Sequence, residues 1–243
     1  MLQLLAGASL LTLAGCATAE PTSGSGASST AAASSSEGEL PEETAGPFPG
    51  DGSNGANILT DSGVVRSDIT SSFGQSTTKA EGVPLTIKMT ILDYAADSAP
   101  MAGAAVYLWH CNRDGQYSMY SSGVENENYL RGVQETDESG QVTFTSIFPA
   151  AYRGRWPHIH FEIYPSLEKA TNSQNKIVTS QMALAAETAN QVYASAGYEQ
   201  SAENMSRTSL ESDNVFSDGY NLQIPTFTGT TGTGFSLEFS CAT

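Results

Sequence analysis

The chain has 243 residues and a formal net charge of −16, from 26 Asp and Glu against 10 Lys and Arg. That length allows one sizeable domain, or one domain with a tail. So acidic a chain repels nucleic acid and anionic surfaces and carries no basic patch to reverse this, so nucleic acid is excluded as a partner.

The first segment reads as an address. Leu4 to Leu13 is mostly apolar and runs into Leu13-Ala14-Gly15-Cys16. It is too short to span a bilayer. It resembles a bacterial lipoprotein signal, which implies cleavage before Cys16 and lipid on its sulfur. No Lys or Arg precedes the apolar run, which leaves room for a start upstream of Met1. Residues 17–43 are Ser, Ala, Gly, Thr and Pro with almost nothing to bury, the composition of a flexible tether. The expected layout is a signal segment at 1–16, a linker at 17–43 and a folded domain at 44–243. The expected location is the outer face of the bacterial cytoplasmic membrane, held by the lipid on Cys16, or the medium beyond it. Cys111 and Cys241 then remain, either paired in an oxidising compartment or buried as two small apolar thiols.

From about Pro41 the pattern is all-β. Pro84 to Tyr94 alternates, with Leu85, Ile87, Met89 and Ile91 on one face. Ala104 to Cys111 predicts a second strand. Gln141 to Ile147 predicts a third, after the turn-forming Asp137-Glu138-Ser139-Gly140. Trp156 to Tyr164 predicts a fourth and Val178 to Leu184 a fifth. Ala185 to Tyr198 is the one segment that reads as a helix. The tail from Phe227 to Phe239 suits a closing strand. Strands at this spacing predict a two-sheet β-sandwich with a short helix and long loops.

The fourth strand carries the chemistry. Successive strand side chains face opposite ways, so His158 and His160 share one face and Ile159, Phe161 and Ile163 the other. Two imidazoles side by side on a rigid strand suit a metal site. The chain has three histidines in all, and His110 lies on another strand, so the remaining ligands are of another type. Tyrosine is the abundant candidate: Tyr117 after the turn Asp114-Gly115-Gln116, with Tyr120 and Tyr129 as neighbours able to take its place, and Tyr152 six residues before His158. A phenol has a reference pKa of about 10, so its ionisation near neutral pH takes a strong Lewis acid. Ferric iron meets that demand and zinc does so poorly. Two tyrosinates and two neutral imidazoles leave room on iron for a chelating catechol, and two anionic ligands hold it ferric.

Leu108-Trp109-His110-Cys111-Asn112-Arg113-Asp114-Gly115-Gln116-Tyr117-Ser118, Ile147-Phe148-Pro149-Ala150-Ala151-Tyr152 and Arg155-Trp156-Pro157-His158-Ile159-His160-Phe161 occur in that order. Together they resemble the intradiol ring-cleavage dioxygenases, over roughly Glu42 to Leu184. The resemblance implies non-haem Fe(III) held by Tyr117, Tyr152, His158 and His160. It implies that Tyr152 leaves iron when substrate binds and takes up a substrate proton. It makes Arg155 the group that stabilises negative charge on the substrate, with Gln181 beside it. Thr44-Ala45-Gly46-Pro47-Phe48 resembles a pocket-lining segment of the same family, so Thr44, Gly46, Pro47 and Phe48 join Arg155 as substrate-binding candidates. Phe48 stands where the family has tyrosine, which removes a polar contact. The implied reaction inserts both atoms of O2 into a catechol and opens the ring between its hydroxyls to a cis,cis-muconate. Members of this family often assemble with their own copies through their sheets. Two rival readings stay open on the sequence: a cell-surface sandwich that binds glycan or protein around a non-catalytic metal site, and a different metal, such as copper, on the histidine pair. Trp109 and Trp156 read as packing residues.

Overall fold

The computed structural model describes residues 38–243. The signal segment, the Cys16 lipidation site and the tether up to residue 37 lie outside the described residues. Nine strands form two sheets. In chain order they are β1 (Pro84–Asp93), β2 (Ala99–Pro100), β3 (Ala105–Trp109), β4 (Arg131–Glu135), β5 (Gln141–Ile147), β6 (His158–Tyr164), β7 (Val178–Ala183), β8 (Thr226–Thr230) and β9 (Gly234–Ala242). The larger sheet runs β2-β1-β9-β8, with β5 also paired to β1, and the smaller runs β4-β3-β6-β7. Two short helices, α1 (Ala186–Tyr193) and α2 (Glu199–Met205), follow β7.

The core forms where the alternating faces of the two sheets meet. Leu85, Ile87, Met89 and Ile91 of β1, Phe144 of β5 and Leu237 of β9 come from the larger sheet. Val106 and Leu108 of β3 and Ile159, Phe161 and Ile163 of β6 come from the smaller. Each such side chain stabilises the fold by about 1.5–3 kcal/mol when fully buried. The chain is a β-sandwich, as its alternation predicts.

The far face of the smaller sheet is not left to solvent. Ala105, Tyr107, Trp109 and Tyr164 pack there with Ile58, Leu59, Val64 and Tyr117 from the loops. Every residue of β6 is therefore buried. This second layer turns the histidine face of β6 into an interior site rather than a surface patch. Among the described residues no helix is long and apolar enough to cross a membrane.

Several expectations shift. The chain joins the domain before Thr44: Leu40 is in the core, its amide donates to Ala242 O at 2.8 Å, and Glu43 N donates to Thr179 O at 2.7 Å. One leucine in a polar stretch is invisible to average composition. The helix expected over 185–198 stops at Tyr193 and a second begins at Glu199, because Gly197 takes the left-handed conformation at φ 89°. The tail is a hairpin, not one strand, and β9 pairs with β1 in parallel. β4 has no apolar alternation to announce it, and its strand state comes from pairing with β3. Cys111 and Cys241 are free and buried, one in each of two apolar clusters, and burial pushes both thiols up to about 12.

Phe144 is fully buried and Thr143 beside it is exposed. Phe144→Ala should lower the free energy of denaturant unfolding by about 3–5 kcal/mol, while Thr143→Ala should stay within about 0.5 kcal/mol of wild type.

Candidate functional site

The strand alternation of β6 and two loops bring four donor groups to one point. His158 and His160 stand on β6, with His160 opposite Trp109 of β3 and Gln181 of β7. Tyr117 follows a tight turn built by Asn112, whose carboxamide oxygen accepts from Asp114 N at 3.0 Å and Gln116 N at 2.9 Å. Gly115 closes that turn at φ 80°, and a β-carbon there would sit 3.1 Å from Tyr152 Cβ, so the turn presses directly on the second tyrosine. Tyr117 Oη lies 3.4 Å from His158 Nε2 and 3.2 Å from His160 Nε2. Tyr152 Oη is 3.1 Å from His158 Nε2, and the two imidazole Nε2 atoms are 3.1 Å apart. The other tyrosines do not compete. The Tyr120 hydroxyl binds Asn54 and Gly50 N, and that of Tyr129 accepts from Asn112.

The protonation states suit a metal. His158 Nδ1 is 2.5 Å from Trp156 O. A carbonyl only accepts, so the proton is on Nδ1 and the Nε2 lone pair faces the other donors. Burial, then the nearby Arg155 charge, lowers His158 to about 3. Burial, then His158, holds His160 well below the usual imidazole range. Burial raises both phenols, Tyr117 well above its ordinary value. Four neutral donors thus crowd together with lone pairs in conflict. Donors about 2.1 Å from a common ion sit about 3.0–3.4 Å from one another, the spacing found here, so the residues fit a metal ion. Among the described residues no group of three or more His, Cys, Asp and Glu side chains gathers elsewhere to hold one.

Arg155 covers one side. Its Nε donates to Asp213 Oδ2 at 2.9 Å and its Nη2 to Gln181 Oε1 at 2.7 Å. Its Nη1 is left 3.3 Å from His158 Nε2, aimed at the four donors. Gln181 in turn donates to Thr44 O at 2.8 Å. Gly46 lies over the imidazole, since a β-carbon there would meet His160 Cε1 at 3.4 Å. The Phe48 ring is 5.1 Å from that of Tyr117, and Pro47 O accepts from Asn54. The structure therefore gathers Tyr117, Tyr152, His158, His160, Arg155 and Gln181, with Thr44, Gly46 and Phe48 against them, while Pro47 is exposed and tied to Asn54.

Asp213 and Arg131 escaped the sequence reading, and Trp109, read there as a packing residue, packs on a candidate ligand. Asp213 is fully buried and also accepts from Trp156 N at 2.7 Å and Val215 N at 2.9 Å. Burial raises its carboxyl, but those bonds outweigh burial and hold it below its ordinary value. Its Asp-x-Val-Phe spacing reads as a cap, yet nothing local shows that it faces Arg155. Trp109 stacks on His160 at 4.9 Å and 5°, which fixes a ring whose Nδ1 has no partner. Arg131 is buried under the Phe48 segment.

A scan of protein families matches the one described as Dioxygenase over residues 65–189, just over half of the chain. The chain belongs to the intradiol ring-cleavage dioxygenase family. Chlorocatechol 1,2-dioxygenase of Rhodococcus opacus is 38% identical over 53 residues, 22% of this chain and 21% of that protein. Hydroxyquinol 1,2-dioxygenase of Rhizobium sp. is 33% identical over 72 residues, 30% and 24% of the two chains. The matched part thus spans about a quarter of these curated relatives. In fold, the chain is similar to the intradiol ring-cleavage dioxygenase from Tetranychus urticae, with a TM-score of 0.67 and 23% identity over 84% of this chain and 94% of that one. It is also similar to the dioxygenase domain of a dioxygenase carbohydrate-binding protein fusion from Streptomyces sp. SirexAA-E, with a TM-score of 0.53 and 20% identity over 85% and 98%.

The buried histidines predict an acid limit to stability. Their folded pKa values lie below that of the unfolded chain, near 6.5, so unfolding takes up protons below that pH. Protein stripped of metal should keep full stability above about pH 6.5 and lose up to about 1.4 kcal/mol per pH unit per buried histidine as pH falls towards 4. Denaturant midpoints measured across pH 4–8 check this. A midpoint that does not fall below pH 6.5 would contradict neutral imidazoles in the fold.

Proposed function

We propose that this domain is an Fe(III) dioxygenase that opens a catechol ring between its two hydroxyls, yielding a cis,cis-muconate with both oxygen atoms of O2. The observation that carries the reading is the convergence of Tyr117, Tyr152, His158 and His160 within 3.1–3.4 Å, under the free edge of Arg155. The relatives named for chlorocatechol, hydroxyquinol and catechol support a catechol-type substrate. The donor set supports iron, since two phenols must ionise well below their own pKa and only a strong Lewis acid achieves that. Iron(III) held by these four residues would bind the catechol and make its ring reactive towards O2.

The chain's own groups divide the remaining work. Tyr117 is almost wholly buried and Tyr152 is half-buried at the solvent side. Tyr152 is the ligand able to swing away and accept a catechol proton on Oη. Arg155 Nη1 supplies fixed positive charge where the substrate oxygens become negative. Asp213 and Gln181 hold the other two edges of the guanidinium, so it costs no reorganisation to aim. Phe48 and Gly46 form an apolar wall and floor for the ring.

Protein loaded with ferric iron should show a visible tyrosinate-to-iron charge-transfer band that shifts with catechol under anaerobic conditions. Tyr117→Phe or Tyr152→Phe should alter or abolish the band, and Arg155→Ala should lower kcat by about 10²–10³ while leaving it. A folded, colourless protein that binds no iron would instead support a surface binding module.

We place the domain outside the cytoplasmic membrane, held by lipid on Cys16, on the strength of the Leu13-Ala14-Gly15-Cys16 motif and the tether-like residues after it. Cys16→Ser should abolish incorporation of labelled fatty acid and move the protein from the membrane to a soluble fraction. Unchanged labelling would overturn that placement.

A further inference from the structure

Arg131 is fully buried, and none of the ion pairs among the described residues includes it. A buried guanidinium without a carboxylate is costly unless its hydrogen bonds are complete. They are complete here. Nε donates to Ser118 Oγ at 3.1 Å. Nη1 donates to Pro49 O at 2.8 Å and to Tyr107 Oη at 3.1 Å. Nη2 donates to Phe48 O at 2.9 Å and to Ser118 O at 3.0 Å. All five N–H groups are used, every acceptor is neutral, and most belong to two loops distant in sequence. One loop carries Phe48, the apolar wall of the pocket. The other carries Ser118, next to Tyr117.

Tyr107 completes the junction. Its hydroxyl donates to Pro49 O at 2.6 Å while accepting from Arg131. Gly50 adopts φ 67°, and a β-carbon there would come within 3.1 Å of Arg131 Nη1 and 3.3 Å of Tyr107 Oη. The turn thus lies flat on the guanidinium. Arg131 is rooted in β4 opposite Trp109, and Trp109 stacks on His160. One planar fork therefore refers the pocket wall, the Tyr117 loop and the sheet beneath the histidines to a common frame.

We propose that Arg131, seconded by Tyr107, is a positioning residue that sets the gap between the Phe48 wall and Tyr117, and so sets how tightly a catechol ring is held. The effect on substrate rests on the catechol reading above. The mechanical part does not. Lysine keeps the charge but is a point donor without the fork, so it cannot reach both loops at once.

The test uses full-length wild type, Arg131→Lys and Tyr107→Phe with two readouts. The first is hydrogen exchange of backbone amides. Segment 44–50 should exchange at least several-fold faster in both variants, with β1 and β5 unchanged. The second is anaerobic titration of the iron-loaded proteins with catechol, followed by visible absorbance. The dissociation constant should rise about tenfold in Arg131→Lys and less in Tyr107→Phe, at wild-type iron content, with KM rising more than kcat falls. Unchanged exchange at 44–50 overturns the proposal. So does a loss of catechol affinity that tracks loss of iron or a uniform rise in exchange, since that is general destabilisation. If Arg131→Lys does not fold, Tyr107→Phe decides by the same criteria. Wild type that binds no catechol would sink the functional reading, while the exchange data would still judge whether Arg131 holds the wall.

Discussion

Strand β6 is buried on both faces, and the rest of the molecule is arranged around that fact. Ile159, Phe161 and Ile163 enter the core between the sheets, while His158 and His160 look the other way. A histidine face open to water would leave flexible, protonatable imidazoles. Covering it with the loops that carry Phe48 and Tyr117 removes water and keeps both rings neutral. It also demands that every polar atom brought inside find a partner. The Trp156 carbonyl answers that demand for His158, whereas His160 is held by the Trp109 face and its Nδ1 keeps no hydrogen-bond partner.

The same burial organises charge. Two phenols, two imidazoles, a guanidinium and a carboxylate share one small interior volume. Asp213 offsets Arg155 and aims it, so the site keeps a directed positive edge without a large unbalanced charge. Arg131 solves the opposite problem, a buried cation among neutral acceptors, through completeness of its hydrogen bonds. The two arginines thus differ in kind: one presents an unused edge to the reacting centre, the other presents none.

Much of this was legible in the chain because its signals are local. Period-two alternation located β1 and β6 and placed both histidines on one face, and a turn cluster marked the start of β5. The segments ending in Tyr117-Ser118 and in Ala151-Tyr152 marked the two tyrosines through their resemblance to a known family. What stayed hidden is long-range. Asp213 meets Arg155 across 58 positions and carries no local mark of it. Arg131 reads as a polar residue in a weak strand, because its burial is imposed by loops from elsewhere. Leu40 was lost within a polar stretch, and the helix break at Gly197 depended on one left-handed residue that composition does not single out. Among the tyrosines, sequence neighbours could not be separated until the turn geometry sent Tyr120 towards Asn54 and Tyr129 towards Asn112.

The parallel ladder between β1 and β9 joins the first and last strands of the described residues, with Leu85 beside Phe235 and Ile91 beside Cys241. Contacts of such high sequence separation form late, because a long loop must close before they repay it. During synthesis β1 can pair with β2 and β5, but its other edge stays unpaired until β9 has been made. The same delay exposes an apolar edge to aggregation, a hazard that holdase chaperones exist to limit.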